Sequence, residues 1–216
     1  MTVSDTNLQG ITQYCNLLEE LKLRMKAVQD IANGKVSIAT FGHPYFADDF
    51  VFLQIRKILE IVAFGSMCSN IELYRKTYEK YATHWRAKDI LQKLELINKD
   101  FYPLPLKPSN EQPVRDSAKL KNSYVLENVR SGFLTKNEFE FLYDCSSRVI
   151  HSPNPYKEAQ KIDLRMSVDD WMHRIASLLW FHQMKLAQTD VMWFVYLLHP
   201  EHGRSHAVLT TSLERE

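Results

Sequence analysis

Residues 49–70 put apolar side chains on nearly every side of a helix: Phe50, Val51, Leu53, Ile55, Ile58, Leu59, Ile61, Val62, Phe64 and Met67. A helix with no polar face cannot lie on a surface, so it must be surrounded by other elements. This segment therefore demands a bundle with neighbours on several sides. Its most apolar stretch, 50–64, carries Arg56, Lys57 and Glu60 and is too short and too charged to span a bilayer, so no membrane association is expected. Arg56 and Glu60 are one helical turn apart and can pair on one face, which lowers the cost of burying either.

The flanking sequence supplies the neighbours. Leu8, Ile11, Cys15, Leu18, Leu21, Met25, Val28 and Ala32 recur at spacings of three and four, which predicts a helix over 8–32. Asn33-Gly34 supplies the left-handed residue that ends it, and Asp48 or Asp49 can cap the apolar helix. Helix is expected to continue with a bend over 71–81 and to resume over 85–99 through Ile90, Leu91, Leu94 and Ile97. Over 101–132 the period disappears, and four prolines predict a long surface loop with a short strand near residues 123–126. Thr135 and Glu138 form a capping box for the next helix, stapled by Leu134 and Phe139, which must stop near His151 because Pro153 restrains Ser152. Ser167 with Asp170 opens a last helix burying Trp171, Ile175, Leu178, Leu179 and His182. Alternation over 191–198 and 206–211 predicts two strands joined by a turn.

The expected fold is thus mainly α: one domain over 1–216, with a helical bundle over about 8–183, the long loop at 101–132 and a β-hairpin at about 190–212. With 6 Gly and 8 Pro the chain favours long regular elements. A net charge of +1 excludes a broadly basic nucleic-acid binder, so any polyanion contact must be local. Cys15, Cys68 and Cys145 are odd in number and lie among apolar neighbours, the pattern of buried free thiols rather than disulfides or a metal motif. The N-terminal residues lack the basic and apolar regions of a signal peptide, so the expected location is the cytoplasm.

The segment most suggestive of chemistry is 143–156. His151 falls on the last turn of a helix, whose dipole favours imidazolium, and a Pro-Asn-Pro corner follows. His151 can therefore hold or exchange a proton and Asn154 can be held for hydrogen bonding. Equally, His151 can be a C-terminal cap and Asn154 a turn residue. His199, His202 and His206 surround the hairpin turn, but their spacing matches no metal motif and no metal or other cofactor is expected. Tyr74, Tyr78 and Tyr81 alternate with Arg75, Lys76, Lys80 and Arg86. They can stack on RNA, or simply face inward with the charges in water. Phosphate loops, nucleophile elbows and HExxH motifs are missing from the sequence.

Segment 143–156 resembles the last core helix of the HEPN superfamily, helical-bundle proteins that include metal-independent endoribonucleases of toxin–antitoxin and phage-defence systems. In that family this helix carries an Arg, four to six intervening residues, and a His; a buried second helix often carries Arg and Glu four apart, as Arg56 and Glu60 are here. The resemblance implies a HEPN-like bundle, an RNA-cleaving or RNA-binding role in bacterial defence, and a homodimer. It implies His151 as acid or base, Arg56 or Arg148 as the cation, and Glu60 and Asn154 in support. The sequence departs from the pattern at the Arg: Asp144, Cys145 and Ser146 stand at the three permitted spacings, and none is basic. Arg148 is nearby, but only two residues intervene, so it projects about 60° around the helix from His151; Arg56 can supply the missing cation from the neighbouring helix. Otherwise the chain is a silent interaction module that pairs with a protein such as an antitoxin or defence partner. The aromatics Trp171, Trp180, Phe181, Trp193 and Phe194 point in too many directions for one small bundle to cover, which also favours a dimer.

Overall fold

The computed structural model describes residues 5–109, 125–152, 154–156 and 161–211. Six α-helices lie among them: α1 (Asp5–Ala32), α2 (Pro44–Ser69), α3 (Ile71–Thr77), α4 (Ala87–Ile97), α5 (Lys136–Ile150) and α6 (Val168–Leu179). The chain is mainly helical, and a C-terminal antiparallel sheet completes it.

α2 is the central element, as its composition requires. Val51, Phe52, Ile55, Ile58, Leu59, Ile61, Val62 and Ala63 are buried, and α1, α4 and α5 pack around it. It begins earlier than Asp48 or Asp49 would place it. Pro44 takes the first helical position, where its missing N–H costs nothing, and the His43 ring accepts from the Tyr45 N–H as the cap.

The buried stripe of α1 also differs from its predicted residues at the N-terminal end. Gly10, Tyr14, Leu18, Leu21, Met25 and Val28 face inward, while Leu8 is exposed and Cys15 half-buried. The sheet accounts for this rotation. A Cβ on Gly10 would stand 3.1 Å from the Trp193 ring of β4 and 2.9 Å from the Cys68 carbonyl of α2, and Tyr14 packs beside Trp193.

Both predicted capping boxes are present. The Thr135 side chain accepts from the Glu138 N–H while Glu138 accepts from the Thr135 N–H, and Ser167 and Asp170 do the same for α6. Leu134 and Phe139 are both fully buried.

The expected hairpin is part of something larger. Strands β1 (Leu104–Pro108), β2 (Leu126–Asn128), β3 (Phe181–Lys185), β4 (Val191–Tyr196) and β5 (His206–Thr211) form one antiparallel sheet in the order β2-β1-β3-β4-β5. The predicted loop thus contributes two strands. The last helix stops at Leu179 instead of running through His182, because residues 181–185 alternate half-buried and buried and pair with 192–196. Helix propensity alone does not foresee this; the ladder offered by β4 overrides it.

Trp171 and Trp193 are buried within the chain, whereas Trp180 remains 57% exposed. Phe181, Tyr196 and Phe194 cluster half-buried on the outer sheet face, with Phe181 and Tyr196 stacked at 4.4 Å.

A polar joint couples bundle to sheet. Asn70, at the end of α2, donates to the Ser66 carbonyl, while its Oδ1 accepts from Asn98 at 2.8 Å and from the Ala187 N–H at 3.1 Å. Deeper in, the Tyr14 hydroxyl meets His182 Nε2 at 2.7 Å, and His182 Nδ1 donates to the Leu179 carbonyl at 2.9 Å. Both rings are buried, and burial pushes the His182 imidazole down to about 4. His182 is therefore a satisfied, neutral core histidine, carried by a strand rather than a helix. No described helix is long and apolar enough to cross a membrane.

Candidate functional site

Arg56 sits near the middle of α2 and turns toward α5. Its Nε donates to Glu60 Oε1 at 3.2 Å, the within-helix pairing expected from their spacing. Two further contacts come from α5: Nη2 donates to the Tyr143 hydroxyl at 2.8 Å, and Nη1 donates to Ser147 Oγ. Ser147 Oγ in turn donates to the Tyr143 carbonyl at 2.7 Å, which fixes the hydroxyl as an acceptor for the guanidinium. The Arg56 guanidinium carbon lies 4.4 Å from the Tyr143 ring centroid, a cation–π distance. Burial raises the Tyr143 phenol, so it is neutral and available as the acceptor. Side-chain exposures of 14% for Arg56 and 21% for Glu60 make this a partly desolvated, fully held cation rather than a surface ion pair.

Tyr143, Ser147 and His151 are spaced by four and therefore share one stripe of α5. His151 is the residue after the last helical turn, its N–H bonded to the Ser147 carbonyl at 3.3 Å. Its ring is exposed and has no hydrogen-bond partner among the described residues. Arg56, Tyr143, Ser147 and His151 line one cleft of about 390 Å³ together with Arg86, Lys88, Asp89 and Asp144. Lys88 bonds both oxygens of Asp144, at 3.0 and 2.9 Å, and Arg86 lies 3.9 Å from Asp89. Three cations and an imidazole thus face one space against two carboxylates, each already engaged.

Arg56 of α2 and His151, just after α5, line the same cleft although far apart in sequence; Glu60 pairs with Arg56 but does not line the cleft. Arg148 and Asn154 are not among the residues lining the cleft. Arg148 is exposed on another azimuth, as its spacing from His151 requires. Asn154 is exposed, and its Oδ1 accepts from the Tyr156 N–H at 3.0 Å, a local turn contact; Pro153 lies outside the described residues. Tyr143 and Ser147 share a spacing of four with His151 that is visible in the sequence, but only the fold shows that they hold Arg56. Lys88 carried no signal at all, since only the packing of α4 beside α5 brings it to Asp144.

The other candidates are placed differently. Tyr74 is buried and meets His84 Nδ1 at 2.8 Å, and Tyr78 packs on both rings, so these tyrosines face inward. The rings of His199, His202 and His206 lie 4.3 to 5.7 Å apart. His199 Nδ1 accepts from the Glu201 N–H and His202 Nδ1 from the Arg204 N–H. No metal-binding group of His, Cys, Asp or Glu occurs among the described residues. A second cleft, of about 430 Å³ beside β1 and β3, is lined by Lys99, Asp100 and Lys185, with Lys185 paired to Asp100 at 2.7 Å. The free thiols Cys68 and Cys145 are buried, and burial pushes Cys68 up to about 11, too high for a nucleophile.

Comparison with protein-family models, with curated proteins and with solved structures finds no match.

Proposed function

We propose that this protein binds RNA in the α2–α5 cleft and cleaves it without a metal, as the resemblance to HEPN ribonucleases implies. One observation carries the reading: Arg56, held by Glu60, Tyr143 and Ser147, lines the same cleft as the free ring of His151, one helical turn beyond Ser147. A silent module has no need to hold a partly buried guanidinium in the same cleft as an exposed imidazole. The chemistry asks for little more. Neutral His151 takes the proton from a ribose 2′-hydroxyl, the 2′-oxygen attacks phosphorus, and Arg56 with Lys88 steadies the charge on the non-bridging oxygens. The P–O5′ bond breaks, and the imidazolium returns the proton to the 5′-oxygen. The products are a 2′,3′-cyclic phosphate and a 5′-hydroxyl.

The same proposal places the chain in a bacterial defence or toxin–antitoxin system, in the cytoplasm, with a homodimer as the assembled form. Exposed Trp180 beside the Phe181–Phe194–Tyr196 cluster supports the dimer.

Purified protein is expected to cleave single-stranded RNA in EDTA and to leave cyclic phosphate ends. His151→Ala should slow cleavage at least about a hundredfold, the usual scale for a positioned acid or base. Arg56→Ala should do likewise, and Arg56→Lys should restore little because three separate donors are used. Melting curves must accompany both Arg56 variants, since Glu60 loses its partner. Full cleavage by folded His151→Ala protein would sink the assignment.

A further inference from the structure

Trp85 is 61% exposed and lies outside the lining of the cleft. The residue after it, Arg86, lines the cleft, and the Arg86 guanidinium lies over the Trp85 ring at 5.9 Å. The backbone on both sides is anchored. His84 is held by Tyr74 at Nδ1 and by Lys93 at Nε2, both at 2.8 Å, and burial with the Lys93 charge keeps its ring neutral. Arg86 is the N-cap residue of α4, its carbonyl accepting from the Ile90 N–H at 3.0 Å, and Ala87 is fully buried. A large apolar ring is therefore presented to water from a segment that is already fixed.

We propose that Trp85 is a base-stacking platform for a single RNA strand bound at the adjoining cleft; this rests on the reading of that cleft as an RNA site. A nucleotide whose phosphate enters among Arg56, Arg86 and Lys88 brings its base to the indole face. Stacking on an aromatic ring is tolerant of base identity but needs a base released from its helix, so a paired strand gains nothing from it. The anchored backbone means little ordering is lost when the base docks. Arg86 links the two functions, meeting phosphate in the cleft and closing over the ring that holds the base. Trp180, the other strongly exposed indole, has no cation over it among the described residues.

The experiment compares a labelled single-stranded RNA oligomer with its duplex, by fluorescence anisotropy in EDTA on His151→Ala protein to prevent cleavage. Trp85→Ala should weaken single-strand binding about tenfold or more and leave duplex binding unchanged, and Trp85→Phe should restore most of the loss. Lys88→Ala should weaken both substrates and flatten the salt dependence of binding. Single-strand affinity unchanged in Trp85→Ala but reduced in Lys88→Ala overturns the stacking role and leaves the cleft as the RNA site; Trp85 then serves a protein contact. RNA affinity unmoved by Lys88→Ala, or no RNA binding at all, overturns the cleft reading and this inference with it.

Discussion

Replacing His182 by Gln should remove a specific part of the pH dependence of folding. The native imidazole is buried, donates to the Leu179 carbonyl, accepts from Tyr14, and has its pKa pushed down to about 4 from an ordinary 6.5. The sign follows from proton counting. As pH falls below 6.5 the unfolded chain takes up a proton that the native state refuses. The stability contributed by neutral His182 is thus complete above pH 6.5 and is lost as pH falls toward 4. Each pKa unit corresponds to about 1.4 kcal/mol, so the whole contribution is about 3 kcal/mol, of which about 2 kcal/mol is lost between pH 7.5 and 5. That window lies above the carboxylates whose native pKa values are lowered, Glu19, Asp30 and Asp170, so their losses come at lower pH. Urea titrations of wild type and His182→Gln at pH 7.5 and 5 isolate the effect. The variant's absolute stability is not the readout, because Gln also changes core packing. The loss between the two pH values should be about 2 kcal/mol smaller in the variant. Equal losses would refute the argument and would mean that His182 takes up its proton in the native core, since every other group is common to both proteins.

Gly65→Ala should destabilise the fold by about 1–3 kcal/mol in a urea midpoint measurement, because its Cβ would stand 2.2 Å from the Tyr14 ring. Tyr14 is buried and bonded to His182 and cannot step aside; an unchanged midpoint would show that it can. Light scattering at tens of micromolar is expected to give twice the 25.4 kDa chain mass, and Trp180→Ser should shift it toward monomer. Monomeric wild type would contradict the dimer.

What the sequence determined alone was whatever is local. Helical spacing located α1, α2, α4 and α5, the side-chain oxygens of Thr135 and Ser167 marked where two helices start, and the spacing of Arg56 and Glu60 ensured their pairing once α2 formed. The left-handed turn at Gly34, with φ of 68°, was equally legible. The sequence also carried the stripe Tyr143, Ser147, His151, although nothing in it said what the stripe would face. The tertiary structure decided everything that depends on a distant partner. Residues 181–185 have no intrinsic reason to leave the helix; they become a strand because 192–196 present a ladder, and 104–108 and 126–128 extend it for the same reason. The turn of α1 that buries Tyr14 rather than Cys15 was likewise set by Trp193 and His182, more than 160 residues away as the Tyr14–His182 separation of 168 shows. The cleft is the extreme case. Arg56 on α2, Lys88 on α4 and His151 after α5 have no common period, and only the packing of α4 and α5 against the central helix α2 brings their side chains around a single space.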